Sequence, residues 1–165
     1  MSVTINGTTG VSLVQNGVLT DANMPAGSVL QVAEGSTYID VTTTGVETDT
    51  GLSATITPTS SSSKIVVISC LEGLRKQGGS GDSRLNIYLY RGGTVLSTYL
   101  ANMWIYSNST AFRHGGFAIN YVDFPNTTSS LTYKLRFSGS DGSNWSVQAD
   151  SNSGYSTIIL MEIAG

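Results

Sequence analysis

Residues 51–71, GLSATITPTSSSSKIVVISCL, set the terms on which the rest of the chain can fold. Leu52, Ala54 and Ile56 alternate with Ser53, Thr55 and Thr57, the period of a half-buried antiparallel strand. Pro58 and the five hydroxyl residues at 59–63 can neither extend a central ladder nor fill a core, so the chain turns there. Ile65, Val66, Val67 and Ile68 are then apolar on both faces, as in a strand that crosses the middle of a sandwich and is covered on each side. Everything that follows has to pack on this strand. A carboxylate placed at Val67 is accordingly expected to do more damage than one placed at Leu71.

The same logic predicts further strands. Leu85, Ile87 and Leu89 alternate with Asn86, Tyr88 and Tyr90, and Leu131, Tyr133, Leu135 and Phe137 face inward against Thr132, Lys134 and Arg136. Residues 117–122 form a strand that ends at the turn Asp123-Phe124-Pro125-Asn126, 145–149 a short strand, and 157–163 a last, nearly continuous apolar strand. Residues 101–110 are aromatic without strict alternation, which reads as irregular or bulged. Loops are expected at 78–83 and 139–144, and a solvated edge strand with a loop at 42–50. No window of a dozen residues carries a helical period. About ten short strands with Gly- and Ser-rich turns predict an all-β chain, an antiparallel β-sandwich of jelly-roll-like form.

Residues 1–27 differ from the rest. Val3, Ile5, Val11 and Leu13 alternate with hydroxyls and turn at Asn6-Gly7 and Asn16-Gly17, so they read as a short extended β arm with too little apolar surface to hold itself together. The chain therefore divides into an arm at 1–27, stable only when it pairs with its own domain, sister chains or a larger particle, and a compact β-sandwich at 28–165. With 39% hydrophobic residues, 165 residues suffice for one core and show no break between two.

Charge excludes several partners. Only 12% of residues are charged, so Ser, Thr, Asn and Gly must supply the polar surface, as in shells, fibres and adhesins. The eight Lys and Arg are scattered in a chain of net charge −3, which leaves no footprint for nucleic acid. The start MSVTING lacks the basic and apolar regions of a signal peptide, and no apolar run approaches the roughly 18 residues of a membrane span. Synthesis in the cytoplasm without membrane insertion is expected. Cys70 is the only cysteine, which rules out an internal disulfide and reads as a small buried hydrophobe on the central strand.

Catalytic patterns fail on their missing partners. Gly81-Asp82-Ser83 is similar to the serine block of one esterase family, but the only histidine, His114, has Ala111 where an upstream Asp would be needed, and no G-x-S-x-G elbow exists. The acids stand singly, and Asp141-Gly142-Ser143-Asn144 reads as a turn rather than a calcium loop. No catalytic residue, cofactor or metal site is expected. Planar rings flanked by amides and hydroxyls bind sugars, which makes Trp104, Tyr106, Trp145 and Tyr155 the candidate ligand-binding residues. The same rings could instead cover the ends of the sandwich or a subunit interface; both readings stay open.

Three segments carry a family resemblance: MPAGSVLQV at 24–32, DTGLSATITPTS at 49–60 with SKI at 63–65, and TIILMEIAG at 157–165. Together they resemble tail-fibre and related virion appendage proteins of tailed bacteriophages, notably those of marine and cyanobacterial hosts, and the arm SVTINGTTGVSL is similar to segments that precede the knob in those proteins. The resemblance implies a homotrimeric sandwich knob in the manner of C1q and tumour-necrosis-factor domains, non-enzymatic, located on the virion and adhering to a host-surface glycan. It implies attachment to phage capsid or tail proteins through residues 1–27. The long shaft and tail-binding domain of a full tail fibre have no counterpart in 165 residues, so a head fibre or capsid decoration protein fits equally. A cellular carbohydrate-binding module is the rival of another class.

A closing strand apolar on both faces belongs inside a sheet or against a neighbouring subunit, and Ile159 and Met161 are the candidate interface residues. Lysine at Ile159 is expected to leave a folded but monomeric or poorly soluble protein if that residue faces a neighbour, and to prevent folding if it faces the core. The number three comes from the resemblance alone.

Overall fold

The turn at 57–63 sends residues 51–71 into two different sheets, on β3 (Thr48–Ile56) and β4 (Lys64–Leu71). The computed structural model describes residues 24–77, 81–107, 111–113, 115–140, 144–147 and 154–165, with backbone alone at 77, 81, 82, 100–107, 111–113 and 140. The other strands are β1 (Val29–Thr37), β2 (Val41–Thr43), β5 (Arg75–Gln77), β6 (Gly81–Arg91), β7 (Thr94–Ser107), β8 (Ala111–Arg113), β9 (Phe117–Asp123), β10 (Leu131–Ser140), β11 (Asn144–Val147) and β12 (Ser156–Ile163). The described residues include no helix.

Two four-stranded antiparallel sheets, β1-β12-β4-β9 and β3-β10-β6-β7, make the sandwich, and the short strands β2-β11-β5-β8 make a third sheet. Among the eight long strands, only the β6–β7 hairpin stays within one sheet; every other connection crosses to the facing sheet. First and last strands pair, third lies between last and sixth, and second and seventh pair opposite: the interlocked Greek keys of a jelly roll. The expected sandwich is thus observed. β12 lies between β1 and β4, inside its sheet as its apolar run requires.

Alternation decides which side chains meet in the middle. Ile65, Val67 and Leu71 of β4, Ile158 and Leu160 of β12, and Ile119 of β9 face Leu52 and Ile56 of β3, Tyr133, Leu135 and Phe137 of β10, and Leu85, Ile87 and Leu89 of β6, all of them buried. Trp145 and Val147 carry the core into the small sheet. Asp123 closes one rim, its Oδ2 accepting from Tyr133 Oη and from Arg91 Nη1, each at 2.6 Å.

Several expectations need correction. Leu71 is as fully buried as Val67, because both have the inward parity of β4. Cys70 has the opposite parity, so it is half-buried on the outer face rather than in the core. Burial and a hydrogen bond to Glu72 raise its thiol to about 11, so it stays protonated at neutral pH. Residues 42–50 are less solvated than read: Thr43 and Thr50 are buried, and Thr48 opens β3. Residues 81–83 and 139–140 extend β6 and β10 instead of forming loops. Residues 101–107 are a bulged strand, the last half of β7, whose pairing with β6 slips between Leu85 and Ile87.

Two glycines are required by geometry. At Gly51, φ is +77° where β3 slips its register against β10, and Thr50 Oγ1 bridges the gap by donating to the Leu135 carbonyl at 2.9 Å. At Gly35 a Cβ would stand 1.9 Å from the Ser53 carbonyl oxygen, so β1 can approach β3 this closely only without a side chain.

Candidate functional site

Among the described side chains, the two long sheets present different outer faces to solvent. On β3-β10-β6-β7 the cross-strand neighbours are polar: Thr55 and Thr132 hydroxyls meet at 2.8 Å, Lys134 Nζ lies 2.9 Å from Asp49, and Arg136 lies 2.9 Å from Glu47. Tyr90 Oη also donates to Glu47, at 2.6 Å. These described groups pair with one another across the strands, while Arg136 Nε finds no partner.

On β1-β12-β4-β9 the register aligns Val32, Met161, Val66 and Val122 in one row across all four strands. The next row is Glu34, Ile159, Ile68 and Asn120. Val32 is 58% exposed and Val122 48%, with Met161, Val66 and Ile159 half-buried between them. Phe124, beside Lys64 at 5.7 Å, extends the patch beyond the end of β9. Val32, Met161, Val66 and Val122 thus form an apolar strip across all four strands of this sheet.

Beside this strip runs a groove of about 590 Å³ along the β1–β12 seam, lined by Glu34, Ser36, Thr157 and Ile159 and ending at Tyr155. Tyr155 meets Tyr38 edge to face, centroids 5.5 Å apart at 81°.

The inner side of β12 holds a buried carboxylate. Glu162 Oε2 accepts from Gln31 Nε2 at 2.5 Å, and Oε1 accepts from Thr59 N at 2.7 Å and Thr59 Oγ1 at 2.8 Å. The Ser63 hydroxyl, buried beside the same group, falls short of hydrogen-bond geometry. Burial would raise the carboxyl, but these donors outweigh it and hold it below the ordinary carboxylate range. Gln31, Thr59 and Glu162 come from the three segments at 24–32, 49–60 and 157–165, which the fold joins into one clasp.

No protein-family model matches the chain, and no curated protein does. Among solved structures, the infectious bursal disease virus VP2 subviral particle aligns with TM-score 0.46 at 16% identity, over 84% of this chain and 34% of that one. Structures of the Gx and Gt strains of the same virus align with TM-scores 0.47 and 0.41 at 17% and 18% identity, over 84% and 82% of this chain and 34% and 38% of theirs. This chain thus spans little more than a third of the proteins it matches. A likeness of this size assigns neither family nor role, and the jelly-roll assignment rests on the strand order.

The sequence-derived candidates scatter. Trp145 is 0% exposed and its indole N–H donates to Ser83 Oγ at 2.8 Å; β11, held between β2 and β5, turns the ring into the core. With no face open to a ligand, Trp145 leaves the candidate set. Ser83 is itself buried as that acceptor, a structural role for the serine of the Gly81-Asp82-Ser83 block. Trp104 and Tyr106 stand on β7 opposite Arg84 and Asp82, and their side chains lie outside the described part, as do His114 and residues 141–143. Tyr155 is 61% exposed, and Ile159 and Met161 face outward on the apolar sheet face. Among the described residues no three His, Cys, Asp or Glu converge on a metal-sized site, and no helix is long and apolar enough to cross a membrane.

Sequence reasoning missed Glu162, Glu34 and Tyr38. Glu162 follows Ile158 and Leu160 at the buried parity, and that was a legible signal. The other two depend on the β1–β12 register, which no local pattern encodes.

Proposed function

We infer that this chain is a non-enzymatic structural component of a bacteriophage virion, an exposed knob that assembles with copies of itself and adheres to the host surface. The observation that carries the reading is the four-strand apolar strip that one sheet leaves in water, where the described cross-strand neighbours of the facing sheet are polar pairs. Four strands about 4.8 Å apart and two rows about 7 Å apart give this face roughly 270 Å². That is about a third of the area per partner of a standard specific interface, so a dimer joined by this face alone is small. A closed ring, in which each copy meets two neighbours and edge strands add area, uses the face better; the resemblance to phage appendage knobs makes the ring a trimer.

Attachment to capsid or tail proteins is assigned to residues 1–27, of which 1–23 lie outside the described part. Residues 24–27 lead from that arm directly onto the C-terminus, Gly27 N donating to the Ala164 carbonyl at 2.8 Å and Ala164 N to the Ser28 carbonyl at 2.8 Å. Mass spectrometry and immunogold labelling of purified virions test the reading. Detection at a fixed site on the particle is expected, and that site separates a tail knob from a capsid decoration or head fibre. Absence from virions would overturn it in favour of a cellular carbohydrate-binding module, the reading that the exposed Tyr155 beside its groove supports.

A further inference from the structure

The β1–β12 seam concentrates polar groups and two rings at the border of the apolar strip. The register sets Glu34 opposite Ile159 and Ser36 opposite Thr157, so one carboxylate and two hydroxyls fall within two rows. Beyond them Tyr155 and Tyr38 are 61% and 62% exposed, each fixing the other edge to face at 5.5 Å while leaving ring area in water. No hydrogen bond or ion pair among the described residues engages the Glu34 carboxylate. The groove's 590 Å³ lies within the range of small-ligand sites, about 300–1,000 Å³, and has room for about two or three sugar rings.

We propose that this groove binds a neutral saccharide. The C–H face of a pyranose stacks on the Tyr155 ring, replacing water on apolar area, and Tyr38 holds that ring in place. Sugar hydroxyls donate to the Glu34 carboxylate, and charge-assisted bonds of this kind are the strong ones. Ser36 and Thr157 hydroxyls both donate and accept, which suits the remaining hydroxyls of the ring. Glu34 also fixes the charge class: no Lys or Arg is among the described residues that line the groove, so a sialic or uronic acid would meet uncompensated repulsion.

The assignment rests on the adhesive half of the function above and is independent of where on a particle the protein sits. The test is binding of the full chain to immobilised neutral oligosaccharides of glucose, galactose, mannose and N-acetylglucosamine, with sialylated and uronic-acid oligosaccharides as the acidic arm. Binding to at least one neutral member is expected, reduced about tenfold or more by Tyr155→Ala and clearly by Glu34→Gln, with melting temperature unchanged. Both side chains are exposed, so neither variant threatens the fold. No neutral binding, binding confined to the acidic arm, or affinity unchanged in both variants overturns the proposal. Detection in virions together with failure to bind sugar removes this groove alone; sugar binding by a protein absent from virions removes the virion reading and leaves the groove.

Discussion

Glu162 is a carboxylate inside an apolar strand, and the fold accommodates it by surrounding it with donors. Three hydrogen bonds from Gln31 and Thr59 outweigh the desolvation of the charge, so its ionised form is favoured in the folded state relative to the unfolded chain. Its folded value therefore lies below the unfolded value of about 4.3. The sign follows: the contribution is complete above the unfolded value and disappears as pH falls through the folded one. Glu162→Gln is expected to lose about 1–3 kcal/mol at pH 7, a deficit that shrinks below about pH 4, as read by denaturant melts across pH. A deficit independent of pH would show that shape, and not charge, makes the clasp. Leu71 gives a second residue-scale expectation. Since it shares the inward parity and full burial of Val67, aspartate at either position should destabilise comparably, by several kcal/mol, as compared by urea midpoints.

Strands whose burial follows simple alternation were legible before any coordinates. Tyr133, Leu135 and Phe137 of β10 and Leu85, Ile87 and Leu89 of β6 occupy the parity their sequence announces. Runs apolar on both faces were legible as strands but ambiguous in what covers them: Val66 and Ile68 read as covered, yet within one chain their face is open. Trp145 read as the start of a short strand beside a Gly-, Ser- and Asn-rich loop, which left open whether its ring met a ligand or covered the sandwich; pairing of β11 with β2 and β5 reveals a small sheet that buries it. The groove was least legible. Tyr38 and Tyr155 are far apart in sequence and meet through the β1–β12 register, whereas Tyr155 alone stood among the candidates. The crossing of β1 over β3 yields an element-scale prediction. Gly35→Ala would place a methyl 1.9 Å from the Ser53 carbonyl oxygen, so β1 must shift from β3, lowering stability by about 1–3 kcal/mol in thermal melts. Alanine of full stability would mean that β1 sits further from β3.

At the scale of the molecule, the jelly roll closes its own core and leaves one sheet face for others. The central claim is that this apolar face joins copies of the chain. Ile159 stands in its second row, opposite Glu34 and Ile68 and pointing away from the core, so Ile159→Lys should fold while removing the driving force for association. The decisive measurement is sedimentation equilibrium at micromolar concentration on the wild type and on Ile159→Lys, each checked for its β spectrum. The account predicts a wild-type mass three times the 17.3 kDa of one chain and a folded variant at or near the mass of one. A folded wild-type monomer of 17.3 kDa would contradict it.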